Sequence, residues 1–211
     1  RCGRKHPILS TLSLPQRSWP QLPTGQPWQW RLAMLPAGWL HAASLAWPGH
    51  GAALWWLQLL SLALLCKALL ATPRRRDGAL LGWLFGTSWL VGTFWWLFTS
   101  MHTYGGLAAP LAAAGVPALA QIPALHYAAV CALFKHFSFT HRAVNALVFA
   151  ALWLLAELAR GVLWTGFPWG ASGYAHISGL LFPLARWVGV YGIGAAAAGL
   201  AMLLAQVRHS D

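Results

Sequence analysis

The stretch AVNALVFAALWLLAELARGVLW, from Ala143 to Trp164, decides the class of fold. It is long enough and apolar enough to cross a bilayer as a helix, which needs about 20 residues. Within it stand Glu157, one of only three acidic residues in the chain, and Arg160. A carboxylate inside a membrane is costly unless it is paired or faces water, and residues three apart share a helix face. We therefore expect a transmembrane helix that carries a carboxylate–guanidinium pair.

The composition extends this expectation to the whole chain. Hydrophobic residues make up 58% of the 211 residues and charged residues only 8%, which is too little charge to cover the surface of a water-soluble domain. The sequence therefore predicts an all-α fold, a polytopic transmembrane bundle of about six spans. The first apolar segment is short and contains Pro36, so it either re-enters the membrane or pairs with the second as a hairpin. The six apolar segments are 32–47, 52–71, 79–99, 107–134, 143–164 and 180–207.

The placement of the basic residues predicts the orientation of the bundle. The chain has fourteen Lys and Arg, and a cytoplasmic N-terminus puts all of them inside except Arg160 and Arg186. The positive-inside rule favours this orientation. The net charge of +11 does not predict nucleic-acid binding, because the basic residues are scattered over several loops and not clustered on one face.

Three regions follow from these patterns. Residues 1–31 are basic, polar and rich in proline, and we expect a disordered cytoplasmic tail there. Residues 32–207 form the transmembrane bundle. Residues 208–211 form a short cytoplasmic end.

Neither the cysteines nor the histidines predict a metal site or a cofactor. The spacing of the three cysteines suits neither a zinc site nor a redox pair, and the two in apolar segments, Cys66 and Cys131, are predicted to pack as small apolar residues. His136 and His141 share a short loop that offers no third ligand. The sequence therefore predicts no cofactor and no bound metal.

Two sets of small residues recur at four-residue intervals and predict close packing of helices. The first set is Gly78, Gly82 and Gly86, and the second is Gly194 and Ala198.

Two loops predicted on the outer face carry the candidate binding residues. The first, residues 161–179, is rich in glycine and polar residues yet contains the apolar run Phe167-Pro168-Trp169. The second, residues 102–106, also combines aromatic residues with glycine. These loops either present a surface to lipids or form ordinary turns, and the Glu157–Arg160 pair either orients a lipid headgroup or only neutralises itself. The candidate substrate-binding residues are Glu157, Arg160, Phe167, Pro168, Trp169, Tyr174, His102 and Tyr104.

Three stretches resemble the bacterial apolipoprotein N-acyltransferase family. ELARGVLWTGFPWGASGY, from Glu157 to Tyr174, is similar to that family's glutamate-leucine-arginine-glycine motif and its Thr-Gly-Phe-Pro-Trp turn. HTYGGLAAP, residues 102–110, resembles the entry to one of its outer loops, and LHAASLAWPG, residues 40–49, resembles its first hairpin. The resemblance covers roughly residues 32–207.

The resemblance implies an enzyme of lipoprotein maturation. Such enzymes join a membrane bundle to an outward-facing nitrilase-like domain with a Glu-Lys-Cys triad. Its thiolate takes an acyl chain from a phospholipid as a thioester and passes it to the α-amine of a diacylglyceryl-cysteine on a lipoprotein, so that one acyl transfer is split into two easier steps. Phospholipid and lipoprotein are the implied partners, together with the bilayer.

No residue of this sequence corresponds to the triad, so no catalytic residue is assigned. Glu157 is the only glutamate and lies in an apolar segment, and the sequence ends at Asp211, after the sixth segment. We therefore expect the membrane portion of such an enzyme, inactive alone. The alternative is a non-enzymatic membrane protein such as a transporter or an assembly subunit. It is disfavoured because few ionisable residues lie within the apolar segments and the two halves show no repeat.

Overall fold

A computed structural model describes residues 27–137, 139–163 and 166–207. Most of the predicted tail, residues 1–26, and the predicted end at residues 208–211 lie outside the described residues. The described part consists of helices and loops without strands, which confirms the all-α prediction. It also contains a π-helical turn at Ser100–Tyr104 and 3₁₀ turns at Ser172–His176 and Phe182–Leu184. The α-helices are α1 (Pro27–Leu45), α2 (Trp55–Ala71), α3 (Arg75–Phe94), α4 (Trp96–Thr99), α5 (Ala109–His136), α6 (Arg142–Val162) and α7 (Ala185–Ala205).

Three of the described helical segments are long and apolar enough to cross a membrane, namely α5, α6 and the segment Phe182–Ala205 that contains α7. Helices α3 and α4 add a fourth if they are counted as one broken span, bent by 48°. Helix α2 is apolar but has only 17 residues, and α1 starts at Pro27, before the predicted apolar segment. The structure thus shows three or four candidate spans, and the count of six stays a prediction.

The end of α2 shows how local sequence sets a helix boundary. The backbone N–H of Thr72 donates to the Ala68 carbonyl (3.1 Å), and the Thr72 hydroxyl lies within hydrogen-bond distance of the carbonyls of Ala68 (3.1 Å) and Leu69 (3.2 Å), so that Thr72 caps the last turn. Pro73 follows at once and cannot continue the helical hydrogen bonding. Helix α3 then begins at Arg75, so the connection between the two helices is very short.

The predicted glycine stripe on α3 is confirmed as a close-packing surface. Helices α3 and α5 form the most extensive helix pair of the bundle. A methyl group added at Gly82 would clash with the Tyr127 carbonyl and the Cys131 sulfur of α5, and Gly78 and Gly86 also face α5. Because glycine has no side chain, the two backbones can come together here.

Large aromatic side chains fill the centre of the bundle. Trp89 of α3 and Trp153 of α6 stack with their ring centroids 5.9 Å apart and their planes 11° apart. Tyr127 of α5 lies 4.8 Å from Trp89 and 5.0 Å from Trp153. All three side chains are fully buried. The predicted packing role of Cys66 and Cys131 is confirmed, since both are free and fully buried.

The two ends of the bundle differ in charge, and we name them the basic end and the loop end. At the basic end, Arg31 pairs with Asp77 (3.0 Å), and Lys135 donates to the Leu69 carbonyl (3.2 Å). Arg74, Arg75, Arg76 and Arg142 lie at the same end, beside the first turns of α3 and α6. The loop end contains the α1–α2 connection, the α4–α5 connection and the long loop of residues 163–184 between α6 and α7.

Candidate functional site

Glu157 is fully buried in the last part of α6, where each of its carboxylate oxygens has a partner. The Tyr127 hydroxyl donates to Oε1 at 2.6 Å. The backbone N–H of Ser172 and the guanidinium of Arg160 donate to Oε2, at 3.2 and 3.4 Å. The predicted carboxylate–guanidinium pair is therefore present, with side chains at most 1% exposed. It also has partners from α5 and from the loop, which makes it part of a larger network.

Arg160 ties the loop to the end of α6. Its Nη1 donates to the carbonyl of Trp169 at 2.7 Å and to that of Phe167 at 3.2 Å. The N–H of Phe167 donates in return to the Arg160 carbonyl at 2.9 Å. The guanidinium carbon also lies 5.7 Å from the centroid of the Trp89 ring, within the range of a cation–π contact. The backbone of the Phe-Pro-Trp run is thus held by a single buried cation.

Ser172 is the second point at which the loop is fixed. Its N–H donates to Glu157, its hydroxyl accepts from Nε1 of Trp153 at 3.1 Å, and its carbonyl accepts from the side-chain amide of Gln58. A methyl group added at Gly173 would clash with the Val190 carbonyl, so the turn lies directly against α7. We call the residues that make the contacts of Arg160 and of Ser172 the loop clamp, namely Tyr127, Glu157, Arg160, Ser172, Trp153 and Gln58.

The loop also requires glycine at two positions. Gly166 (φ 70°) and Gly170 (φ 71°) both adopt left-handed backbone conformations, which side chains disfavour. A methyl group at Gly166 would meet the Gly161 carbonyl, and one at Gly170 would meet the Thr93 side chain. The glycine content of this predicted loop therefore reflects its backbone path as well as close approach to α3 and α6.

Three of the predicted site residues on the loop face outward. Pro168 is exposed, Trp169 is 56% exposed and Tyr174 is 52% exposed. Phe167, by contrast, turns inward and packs edge-on against Phe94, with centroids 4.8 Å apart. The structure thus separates the predicted site residues into an inner group that holds the backbone and an outer group that is free to contact a ligand.

The second predicted loop contributes residues that stand apart from the clamp. His102 and Tyr104 lie on the π-helical turn after α4, where Tyr104 is 84% exposed and Nδ1 of His102 donates to the Leu107 carbonyl at 2.8 Å. A contact between Trp96 of α4 and Trp169, with centroids 5.1 Å apart, connects this region to the long loop. The two loops are therefore neighbours at the loop end, but His102 and Tyr104 do not join the hydrogen-bond network of Glu157.

Sequence reasoning missed four members of the clamp, namely Ser172 of the loop and Tyr127, Trp153 and Gln58 of the helices. Tyr127 and Gln58 lie in α5 and α2, far from Glu157 in the chain, whereas Trp153 lies in α6, one helical turn before Glu157. Gln58 interrupts an otherwise apolar run in α2, and a buried amide needs a hydrogen-bond partner. That was the available signal, although it does not say which partner the amide would find.

A cleft of about 170 Å³ lies beside the clamp, between the middle of α5 and the end of α6. Its lining is mostly apolar, with Arg160 and His126 as its charged or polar side chains. A buried apolar cavity of about 150 Å³ is large enough to bind benzene, so this cleft has room for a short piece of an acyl chain. The lining residues are Leu119, Ile122, Pro123, His126, Arg160, Leu163, Gly166 and Phe167.

His176 is a further buried polar residue of the loop. It is fully buried in the 3₁₀ turn, with its ring 6.3 Å from that of Trp55. Burial lowers the pKa of His176 to about 4, because the charged form loses its hydration. The imidazole is therefore neutral near pH 7, and the turn carries no charge into the interior.

Residues 37–203 match the family described as "Apolipoprotein N-acyltransferase N-terminal domain". The chain belongs to this family. The match includes α2 to α6, the loop clamp and nearly all of α7, and it confirms the resemblance that the motif around Glu157 suggested.

Relatives within the family are similar over most of this chain. The apolipoprotein N-acyltransferase of Verminephrobacter eiseniae is 56% identical over 199 residues, which cover 92% of this chain and 36% of that protein. The one from Ralstonia nicotianae is 47% identical over 153 residues, covering 71% of this chain and 29% of that protein. The one from Azotobacter vinelandii is 38% identical over 153 residues. The chain thus spans about a third of the length of these relatives.

Proposed function

We propose that residues 27–207 form the membrane domain of an enzyme that transfers an acyl chain from a phospholipid to the N-terminal diacylglyceryl-cysteine of lipoproteins. Membership of the apolipoprotein N-acyltransferase family supports this proposal. The observation that carries it is the loop clamp, which fixes an aromatic loop at one end of a membrane bundle. Phospholipid and lipoprotein are the proposed partners.

In this proposal, the outward-facing residues contact lipid and the buried residues position them. Pro168, Trp169 and Tyr174 are exposed, and aromatic residues suit a surface where acyl chains and headgroups meet. Glu157 and Arg160 are buried, with Arg160 bonded to the loop backbone and Glu157 bonded to Tyr127. They therefore act by holding the loop in place. The predicted candidates thus divide into contacting and positioning residues.

The cysteines of the described helices are unsuited to taking the acyl chain. Cys66 and Cys131 are fully buried in the bundle, away from the loop end. A thiol must ionise and reach the ester carbonyl to attack it. We therefore propose that the 211-residue chain transfers no acyl chain by itself, and that its role is to receive and orient lipids.

A chimera tests the proposed function. The segment of the Verminephrobacter eiseniae enzyme that aligns with residues 27–207 would be replaced by these residues. We expect the chimera to restore lipoprotein N-acylation in cells depleted of their own enzyme. Trp169→Ala combined with Tyr174→Ala should lower the transfer rate at least tenfold, since a tenfold loss needs only about 1.4 kcal/mol of lost transition-state stabilisation. N-acylation would be measured by mass spectrometry of a lipoprotein N-terminus.

Matched controls separate lipid contact from general damage. Phe137→Ala removes an exposed aromatic side chain at the basic end, 47% exposed, and should leave the rate unchanged. The 211-residue chain alone should give no product in the same assay. A chimera that folds and reaches the membrane but does not acylate would contradict the proposed function. An unchanged rate in the Trp169 and Tyr174 double variant would contradict the assigned contact residues.

We also propose that the basic end faces the cytoplasm of a bacterium and that the protein resides in the inner membrane. The positive-inside rule supports this, because Arg31, Arg74, Arg75, Arg76 and Arg142 meet at one end. A membrane-impermeant thiol reagent added to intact cells should label His50→Cys, at the loop end, and spare Arg76→Cys, at the basic end. Labelling of the Arg76→Cys variant from outside would contradict this orientation.

A further inference from the structure

The segment between the clamp and the body of α7, residues 174–188, has one face against the bundle and one apolar face without a protein partner among the described residues. Ala175, His176 and Leu181 are buried and hold the segment in place. Between them, the exposed side chains are mostly large and apolar, with exposures of 41–74%. We call these residues the apolar ledge: Tyr174, Ile177, Leu180, Phe182, Leu184, Trp187 and Val188.

A backbone break at Gly189 separates the ledge from the membrane-crossing part of α7. Gly189 has φ 62° and ψ −174°, a conformation open almost only to glycine. No atom lies within 4 Å of an added methyl group there, so the glycine is needed for its backbone angles and not for space. The chain before the break therefore does not continue the helix axis that follows it.

The length of α7 after the break places the ledge near the edge of the hydrocarbon. Residues 190–205 rise about 24 Å at about 1.5 Å per residue. This is somewhat less than the thickness of the hydrocarbon core, about 30 Å. A helix of this length that reaches the edge of the hydrocarbon at the basic end has its break among the upper acyl-chain carbons, a few ångströms inside the boundary between acyl chains and headgroups. The ledge then lies at that boundary, with its apolar side chains turned away from the bundle.

One exposed cation stands within the ledge. The guanidinium carbon of Arg186 lies 4.7 Å from the centroid of the Trp187 ring. The carboxylates of the described residues, Asp77 and Glu157, are already paired with Arg31 and with Arg160. The charge of Arg186 is therefore available to an anion from outside the protein. Tryptophan beside a basic residue is typical of contacts with the headgroup region of a bilayer.

We propose that the apolar ledge is an interfacial anchor that binds a phospholipid of the leaflet at the loop end. The ledge side chains lie among the upper acyl-chain carbons, and the Arg186 guanidinium donates hydrogen bonds to the lipid phosphate. The guanidinium is complementary to the phosphate, and the apolar surface is complementary to the acyl chains of the same lipid. The anchor does not depend on acyl transfer, and it holds the end of the loop that follows the clamp at the level of the headgroups.

Spin labels test the position of the ledge in the membrane. Leu180→Cys and Phe182→Cys would be labelled in a Cys2→Ala chain, in which the remaining thiols are buried, and placed in nanodiscs of phosphatidylethanolamine and phosphatidylglycerol. The measured quantity is the ratio of label collisions with oxygen, which enters lipid, to collisions with a water-soluble nickel chelate. This ratio should be several-fold higher at positions 180 and 182 than at His50→Cys. Each cysteine variant, before labelling, should have the same unfolding midpoint as the parent, which checks that the substitution leaves the fold intact. Ratios equal to that of position 50 would overturn the proposal, as would labels shielded from both reagents, which would indicate a protein partner on the ledge.

Substitutions at Arg186 test the phosphate contact separately. With the label at position 182, Arg186→Lys should preserve the oxygen preference, because the positive charge remains. Arg186→Glu should lower it several-fold and more strongly in nanodiscs that contain anionic phosphatidylglycerol. An unchanged preference in the glutamate variant would overturn the role of Arg186. Loss of acyl transfer in a chimera would not bear on this result, so failure of the anchor and failure of the proposed enzyme activity are distinguishable.

Discussion

Arg160→Leu should lower the stability of the protein sharply, by about 3–5 kcal/mol, because removing one member of a buried ion pair strands the other. In this structure Glu157 would keep the Tyr127 hydroxyl and the Ser172 N–H but lose its only cation. The carbonyls of Phe167 and Trp169 would also lose their donor. The measurement is the thermal unfolding midpoint of the purified chain in detergent, with unfolding monitored by circular dichroism.

Removing both charges should not restore stability. If the two residues were partners only of each other, replacing both with apolar residues would be close to neutral. In the structure, Glu157→Leu with Arg160→Leu also leaves two carbonyls, the Ser172 N–H and the Tyr127 hydroxyl without these partners, and an unpaired buried polar group costs about 1–3 kcal/mol. The double variant should therefore remain far below the parent in unfolding midpoint.

An exposed arginine at the same end supplies the control for this pair. Arg186→Leu should leave the unfolding midpoint within experimental error, since the Arg186 side chain is exposed. An Arg160→Leu variant as stable as the parent would show that no buried pair exists. A double variant that returned to the parent midpoint would show that the loop backbone does not depend on Arg160.

The second large effect is expected at Gly82, where α3 and α5 are closest. Gly82→Ala should destabilise the protein by about 1–3 kcal/mol, the usual cost of overpacking, because the new methyl group would clash with the Tyr127 carbonyl of α5. A backbone carbonyl cannot move aside without shifting the helix. The shift would also disturb Tyr127, which donates to Glu157 in the clamp. The unfolding midpoint reports the loss.

Gly115→Ala is the matched control within α5. A methyl group there would meet only the flexible end of the Met101 side chain, at 3.3 and 3.5 Å. Alanine is also a better helix former than glycine by about 1 kcal/mol. This variant should therefore be as stable as the parent or more so. Equal effects of the two substitutions would show that Gly82 is not a point of close helix contact.

Much of the fold follows from the sequence, because helices in apolar segments depend on local pattern. The predicted apolar runs overlap the observed helices. The second run and α2 both end at Ala71, just before Pro73. The spacing of Glu157 and Arg160 predicts their pairing, since three residues make most of a helical turn. The four-residue spacing of Gly78, Gly82 and Gly86 predicts a packing face for the same reason. These features need only the geometry of a single helix.

The partners of each polar group, by contrast, are decided only by the tertiary structure. Tyr127 and Gln58 come to the Glu157 region from other helices, and no periodicity within α6 could select them. The carbonyls that Arg160 binds depend on the path of the loop, which follows from the backbone angles at Gly166 and Gly170 and not from hydropathy. For the same reason the bend between α3 and α4 and the break at Gly189 do not show in the apolar pattern. Hydropathy reports which segments leave water, whereas the hydrogen bonds of a buried charge depend on which backbone groups the folded chain brings within reach.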